Sequence, residues 1–515
     1  MPRDATADRH ATADRDAAID ELAAARRHGR RPPTALRCRR DFDPNELGIG
    51  LEPVDWYDLA FLPTDADAWP SRLLAYAAGD FFLQDAGSLL ALAAGDADRD
   101  DAWWRSAGRP PLVCDLCAAP GGKATALVES LGDQGFLIAN EPIRSRLPAL
   151  RHNLARTGSD RYAVTCEDPE ALAAKLPGRF DLVLVDAPCS GQALLVRGRH
   201  TEAAYSPSHV AHAAGRQRRI LDAAVRLLRP GGGLIYSTCT FAPEENEDQV
   251  RRLIASAGLL PRPVDRLAAY RSPPTFPPPP PASPPTAAPD LTHPVPTVSP
   301  NAPTPEGCYR LWPQHHPTAG SFAAALRKPE TDAASPPWPD TMPGVTPDVT
   351  PDVTAGVTTD ADIGQPPSGR GRRRPQPDRR RGRQPAEEVR LHDWLTEPNG
   401  VRLDRRDAVL IGWPADAPPW VESIAVAGPE LAHRTGRTWK PAHAAAIRRV
   451  DRAGPQRRVE VDEATAREFL SGQPIRSDLR GWFVIHWQGR PLGWAKGDGR
   501  RAKNHLPPAS RWADR

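Results

Sequence analysis

Between Pro111 and Leu260 short apolar runs alternate with stretches whose apolar residues recur every three or four positions. The runs PLVCDLCA, GFLIANE, RFDLVLVDAP and GGGLIYSTCT are bounded by Gly, Pro or Asp and are too short for helices, so they read as buried strands. KATALVESL, RSRLPALRHNLARTG and HAAGRQRRILDAAVRLLRPGG carry the 3.6-residue period of helices packed on one face. Strands alternating with helices predict an α/β, Rossmann-like fold with a doubly wound parallel sheet. In such a sheet the ligand lies at the carboxyl ends of the strands.

The pattern changes on either side. Residues 1–34 form a charged, Ala-rich tail in which ATADR occurs twice, and residues 35–105 carry enough aromatic mass for a small module ending in FFLQDAGSLLALAAG, a strand running into a helix. The catalytic unit expected over 106–329 is interrupted at 262–305 by a proline-dominated insertion that cannot build a core. It closes on a hairpin, Tyr309 to Lys328, with His315 and His316 in a solvent-exposed turn. Residues 330–388 read as a disordered linker with the basic run GRGRRRPQPDRRRGR, which either attracts phosphate without reading sequence or is simply solvated. Globular composition returns at 389–515 with Trp394, Trp413, Trp420, Trp439, Trp482, Trp487 and Trp494, and WFVIHWQGRPLGWAKGDG reads as a hairpin turning at Gln488 and Gly489. A small β-rich domain is expected there.

Composition narrows the class. Sixty prolines in 515 residues and a mean hydropathy of -0.52 mean that much of the chain stays outside any core. The net charge of +3 neither requires nor excludes a nucleic-acid partner. Seven cysteines without framework spacing fit a reducing, cytoplasmic setting. No run of 18 apolar residues occurs and the first residues lack the apolar centre of a signal peptide, so no membrane association is expected.

Candidate chemistry gathers at the predicted strand ends. Cys117-Ala118-Ala119-Pro120-Gly121-Gly122-Lys123 leaves the first strand and opens a helix, where small residues bring backbone and free N–H groups close to a ligand. The same glycines also fit a plain tight turn. Glu141, closing the second strand, suits ribose hydroxyls, and Asp168, after the third, is placed near an adenine. GxxxxGK[ST] is missing, so a nucleoside without polyphosphate fits better than a nucleotide triphosphate. Asp186-Ala187-Pro188-Cys189 ends the fourth strand and Ser237-Thr238-Cys239-Thr240 the fifth, which aims two thiols and a carboxylate into one crevice. Cys114 and Cys117 make a C-x-x-C with no second pair to complete a zinc site, so no metal is expected; Cys38, Cys166 and Cys308 read as structural.

DLCAAPGGKAT, VDAPCSG and IYSTCTFAPEENE together resemble the cofactor loop, Asp-Ala-Pro-Cys motif and Thr-Cys motif of the Sun/Nop family of RNA 5-methylcytosine methyltransferases. FFLQDAGS and RLWPQHHPTAGSFAAALRK are similar to segments flanking that core, and RPLGWAKGDGRRAKNHLP to the tail of its bacterial RsmF-type subgroup, which carries a PUA-like RNA-binding domain. The resemblance covers about residues 35–260, 306–329 and 389–515. It implies S-adenosyl-L-methionine as cofactor, held by Cys117 to Lys123, Glu141, Asp168 and Asp186. It also implies Cys239 as nucleophile, Cys189 as the releasing thiol and catalytic parts for Asp186 and Lys123. The implied substrate is 16S ribosomal RNA, free or in the small ribosomal subunit, and the chain is expected to work as a monomer, with residues 35–105 and 389–515 as RNA-binding modules.

Those residue types match what carbon 5 of cytosine demands. That carbon is a poor nucleophile until a thiolate adds at carbon 6, and the charge that then develops near nitrogen 3 calls for a partly protonated carboxyl. Two stretches depart from the family, Leu36-Arg37-Cys38 in place of Arg-Val-Asn and Gln192-Ala193-Leu194 after the Pro-Cys motif, and both bear on target choice. DNA cytosine methyltransferases would make Cys189 the nucleophile, but they lack the Thr-Cys motif. Amino-group methyltransferases need no thiol, and a non-catalytic assembly factor would not keep the whole set.

Overall fold

A computed structural model describes residues 32–65, 67–105, 109–197, 202–273, 303–330, 391–396, 400–450 and 453–512. The expected charged tail, most of the proline-rich insertion, and the linker with its basic run fall outside these residues.

The central sheet follows from strand composition. β5 (Leu112–Asp115), β6 (Phe136–Asn140), β7 (Tyr162–Thr165) and β8 (Phe180–Asp186) are buried almost end to end, as strands covered on both faces must be. With β9 (Leu228–Thr238), β10 (Leu260–Pro261) and the hairpin β11 (Cys308–Leu311) and β12 (Ser321–Arg327), they form a sheet of order β10-β12-β9-β8-β5-β6-β7, with β11 paired to β12. β5 through β9 pair in parallel, and β12 joins β9 antiparallel with Phe322 opposite Thr238. The chain winds from β5 outward to β7, then returns to place β8 on the other side of β5. The crevice therefore opens at the carboxyl ends of β5 and β8. The helices Gly122–Leu131, Leu147–Arg156 and Pro207–Leu227 fall where the 3.6-residue period predicted them.

Four strands precede this unit: β1 (Thr34–Cys38), β2 (Leu51–Pro53), β3 (Ala60–Pro63) and β4 (Phe81–Asp85), in antiparallel order β2-β3-β1-β4. β4 leads into Leu89–Ala94, a helix whose every residue is buried, as the FFLQDAGS pattern anticipated.

The Trp-rich segment is more elaborate than the single β-rich domain expected. It holds two sheets: β13 (Val401–Arg405), β14 (Val409–Pro414), β15 (Glu430–Thr435) and β16 (Thr438–Pro441) in sequence order, then β17 (Arg458–Glu460), β18 (Ile475–Arg476), β19 (Arg480–Trp487), β20 (Arg490–Asp498) and β21 (Arg501–Asn504) in the order β17-β19-β20-β21-β18. The first of these sheets is welded to the central one. Buried Trp413 packs 6.4 Å from Phe136, and Val164 exchanges backbone hydrogen bonds with Val426 and Ala427 at 2.8 and 2.9 Å. β19 and β20 turn at Gln488 and Gly489, both with positive φ, as predicted. Among the described residues, no helix is long and apolar enough to cross a membrane.

A candidate active site at the carboxyl edge of the sheet

A cavity of about 580 Å³ opens at the β5/β8 crevice. Past β5 the chain turns through Gly121, whose φ of 117° only glycine adopts readily, and enters the helix Gly122–Leu131. A Cβ on Gly121 would crowd Asn153 at 3.1 Å and one on Gly122 would crowd Gln84 at 3.1 Å, so the turn reading of these glycines holds on packing grounds alone. Of the predicted cofactor residues, Cys117, Ala119, Pro120, Lys123, Glu141, Asp168 and Asp186 line the cavity; Ala118, Gly121 and Gly122 shape the turn behind its wall.

Glu141 follows β6 and is almost wholly buried. Its Oε1 accepts from the Ile143 amide at 2.9 Å, while Oε2 lies 2.9 Å from Arg146 Nη1 as an ion pair yet accepts no hydrogen bond. A buried carboxylate oxygen with spare acceptor capacity suits a ligand hydroxyl. Asp168 caps the helix Pro169–Lys175 by accepting from the Glu170 amide at 2.9 Å, which leaves its exposed edge toward the cavity.

At the other end of the cavity Cys189 Sγ and Cys239 Sγ stand 3.2 Å apart. Asp186 lies between this pair and the cofactor turn, with Oδ1 accepting from Ser237 Oγ and Oδ2 meeting Lys123 Nζ, each at 2.8 Å. Burial works against the Lys123 charge, but Coulomb attraction to Asp186 and the hydrogen bond that Lys123 donates to it more than offset this, so the ammonium is held. Lys123 and Asp186 thus form an ion pair beside the two thiols, with the ammonium proton held on Lys123. Cys239 is pushed well above the usual thiol range, first by its hydrogen bond to Cys189 and then by burial and by the charges of Cys189 and Asp186; Lys123 opposes this. Cys239 at rest is therefore a thiol, and any attack by its sulfur must be preceded by loss of that proton.

Several supporting groups carried no role in the sequence reading, although some lie inside the quoted motifs. Glu245, buried, accepts from the Ser190 amide at 2.9 Å, Gln217 Nε2 at 2.8 Å and Thr240 Oγ1 at 3.4 Å, so one carboxylate ties the Pro-Cys loop to the Thr-Cys loop. Gln192, flagged as a departure on the substrate side, is buried; its Oε1 accepts from the Phe241 amide at 3.0 Å while Ala193 N donates to Cys239 O at 3.1 Å. It holds the Cys239–Phe241 segment in place, whereas Ala193 and Leu194 face the cavity. Behind it the buried Arg310 grips Glu247 through two bonds of 2.6 and 2.7 Å and donates to Phe241 O. The run of acids in APEENE was the available signal. From the first module Asp85 and Ser88 reach the cavity wall.

His316 corrects the sequence reading in a smaller way. His315 is exposed, but His316 is half-buried and packs edge-on against Trp56 at 5.7 Å and Tyr270 at 5.4 Å, joining the first module to the closing hairpin. No group of three or more metal-ligating side chains occurs among the described residues.

Asp115, at the end of β5, also went unassigned. It is fully buried, and its carboxyl is pushed up to about 7, first by burial and next by Asp186, with Lys123 and the Cys117 amide opposing. A folded-state value above the unfolded one stabilises the fold at low pH; that contribution is lost as pH rises from about 4 through about 7. Asp115→Asn should therefore melt close to the parent near pH 4 and several degrees higher at pH 8, by scanning calorimetry. An identical difference at both pH values would show that Asp115 titrates normally.

Comparison with known proteins agrees with this geometry. Residues 109–327 match the family described as 16S rRNA methyltransferase RsmB/F, and residues 456–512 match the methyltransferase RsmF PUA domain. The chain is 31% identical over 470 residues to the ribosomal RNA small subunit methyltransferase F of Klebsiella pneumoniae, covering 89% of this chain and 84% of that one. It is 28% identical over 467 residues to the protein of that name from Serratia proteamaculans, with the same coverage. Among solved structures, a methyltransferase homolog from Pyrococcus horikoshii is 24% identical with a TM-score of 0.46, covering 60% of this chain and 89% of that one. With the doubly wound sheet, the paired cysteines and this extent of likeness in hand, the chain belongs to the ribosomal RNA small subunit methyltransferase F family of S-adenosylmethionine-dependent methyltransferases.

Proposed function

We propose that this chain methylates carbon 5 of a cytosine in small-subunit (16S) ribosomal RNA through a covalent adduct between Cys239 and carbon 6 of the base. The observation that carries the reading is the approach of two thiols to 3.2 Å beside the Lys123–Asp186 pair, in a cavity whose far wall presents Glu141. Amino-group transfer needs no such thiols. Cys117 to Lys123, Asp168, Asp186 and the spare acceptor on Glu141 would hold S-adenosylmethionine, which would supply an electrophilic methyl group.

The chain's own residues supply the rest. Cys239 loses its proton to solvent water, its sulfur bonds to carbon 6, and the displaced ring electrons move toward nitrogen 3. Lys123 and Asp186 meet that developing charge with a held proton. Carbon 5, now enamine-like, takes the methyl. Cys189, in contact with Cys239 and entering this step as a thiolate, takes the carbon 5 proton as the carbon 6–sulfur bond breaks; Cys239 leaves as a thiolate and Cys189 then releases the proton to solvent. We assign residues 35–105 and 389–515 to RNA binding, flanking a catalytic domain over 106–329, in a cytoplasmic monomer.

Incubating the full chain with S-adenosylmethionine and unmethylated small-subunit RNA should yield bisulfite-resistant cytosine. Glu141→Ala should weaken cofactor binding in calorimetry by roughly 1–3 kcal/mol, the cost of orphaned hydroxyls. Methyl groups found on an exocyclic amine or on ribose would sink the reading.

A further inference from the structure

A second cavity, of about 540 Å³, lies where three parts of the molecule meet. One wall is the loop and short helix around Trp69 to Ala78 of the first module, another the carboxyl end of the helix Leu147–Arg156, and the third the C-terminal region at Arg467 to Ser471 and Ala509 to Trp512. It shares no lining residue with the catalytic cavity. The two are nevertheless linked, since Arg146 lines the first just before that helix and Arg156 the second at its end. Ten residues at 1.5 Å each separate them by on the order of 15 Å.

The junction is built, not a gap between loose modules. Leu74 and Ala78 share a buried apolar cluster with Ala466 and Phe469, and Asp80 is paired to Arg449 and, at 3.0 Å, to Arg490. Its lining chemistry is one-sided. Four arginines and two histidines line it, and no carboxylate does. Arg467 is paired outward with Glu463 at 2.7 Å, but among the described residues no carboxylate pairs with Arg72, Arg156 or Arg511.

Aromatic faces interleave with these cations. Arg72 lies 5.4 Å from the Trp69 ring, Arg156 4.3 Å from Tyr76 and Arg467 5.6 Å from Trp512. Trp69 is 67% exposed, a large apolar ring held at the rim with a cation behind it. His443 Nδ1 is buried on the cavity wall with no hydrogen-bond partner. Burial, with the positive charge of His152 and Arg156 beside it, pushes His443 down to about 4, so the wall carries an unfilled polar position in a positive field.

Cations for phosphate beside flat rings for a base are the two halves of single-stranded nucleic-acid recognition. We propose that this junction cavity binds an unstacked nucleotide of a single-stranded RNA segment, its base against Trp69 or Trp512 and its phosphate met by Arg72 and Arg511. The proposal rests on the reading of the chain as an RNA enzyme. It gives that reading a second anchoring point on a rigid helix shared with the catalytic cavity.

The test uses the full chain and a fluorescein-labelled single-stranded oligouridylate of roughly a dozen nucleotides. Trp69→Ala combined with Arg72→Gln alters only exposed side chains, so the fold should survive. Binding by anisotropy should weaken about 5- to 150-fold, the worth of one stacked base. The slope of log affinity against log salt should flatten by about 0.7 for the lost phosphate contact. S-adenosylmethionine affinity should not change, and 4-thiouridine in the oligomer should photo-cross-link to peptides containing Trp69 or Trp512. Parental binding of the oligomer with an unaltered affinity and slope in the double variant, and cross-links elsewhere, would overturn the cavity assignment while leaving the RNA-enzyme reading intact. A parent that binds neither the oligomer nor small-subunit RNA would overturn that reading and the proposal with it.

Discussion

Cys189→Ala should stall with RNA bonded to the protein, and Cys239→Ala should form no such bond. The two thiols are equally close to each other, so the distinction lies in what surrounds them. Cys239 directly follows β9 within the field of Lys123, the group proposed to meet the ring charge once sulfur has added. Cys189 sits on the loop after β8, held from behind by Ser190 through Glu245. Removing Cys239 deletes the bond-forming atom, and methyl transfer should fall by the several orders of magnitude typical of a lost nucleophile. Removing Cys189 leaves adduct formation and methylation possible but takes away the group that accepts the carbon 5 proton. Denaturing electrophoresis of each variant after incubation with labelled small-subunit RNA reads the outcome. A shifted band is expected for Cys189→Ala and none for Cys239→Ala or the double variant. The opposite pattern would make Cys189 the nucleophile, as in DNA cytosine methyltransferases.

Much of this site was legible because its chemistry is written at strand ends. The apolar runs located β5 through β9, and the doubly wound topology they imply puts Lys123, Glu141, Asp186, Cys189 and Cys239 on one edge without any knowledge of side-chain positions. What pattern could not show was tertiary. Glu245 and Gln217 lie 28 residues apart on separate elements, and nothing local marks their hydrogen bond. His316 read as exposed because it occupies a polar turn, yet the first module covers it with Trp56. The separate sheet β13–β16 in the C-terminal region was missed for a related reason. Its Trp413 face is apolar to suit the central sheet, so composition alone could not separate a self-contained domain from one sharing a core with its neighbour.

The same limit hid the pairing of Lys123 with Asp186. Lys123 and Asp186 are 63 residues apart by their numbers, and only the fold brings them to 2.8 Å. That contact yields the second large expected effect. Lys123→Met keeps the length and packing of the side chain while removing the proton that faces the charged ring, so the loss should concentrate in the step that builds the adduct. By analogy with single oxyanion donors, the rate constant should drop by about 10²–10³. Cofactor affinity should change far less, because Glu141 and the turn remain. Single-turnover rates and calorimetry on the same preparation separate the two quantities. Asp186→Asn should also be slow, but for a different reason. It retains an acceptor for Ser237 and leaves the ammonium without its carboxylate, so Lys123 should lose its proton at lower pH than in the parent. The rate of Asp186→Asn should consequently fall as pH rises, relative to the parent. If Lys123→Met kept the parental single-turnover rate, the proton at nitrogen 3 would have to come from elsewhere, and the ion pair would be reduced to a brace for the cofactor turn.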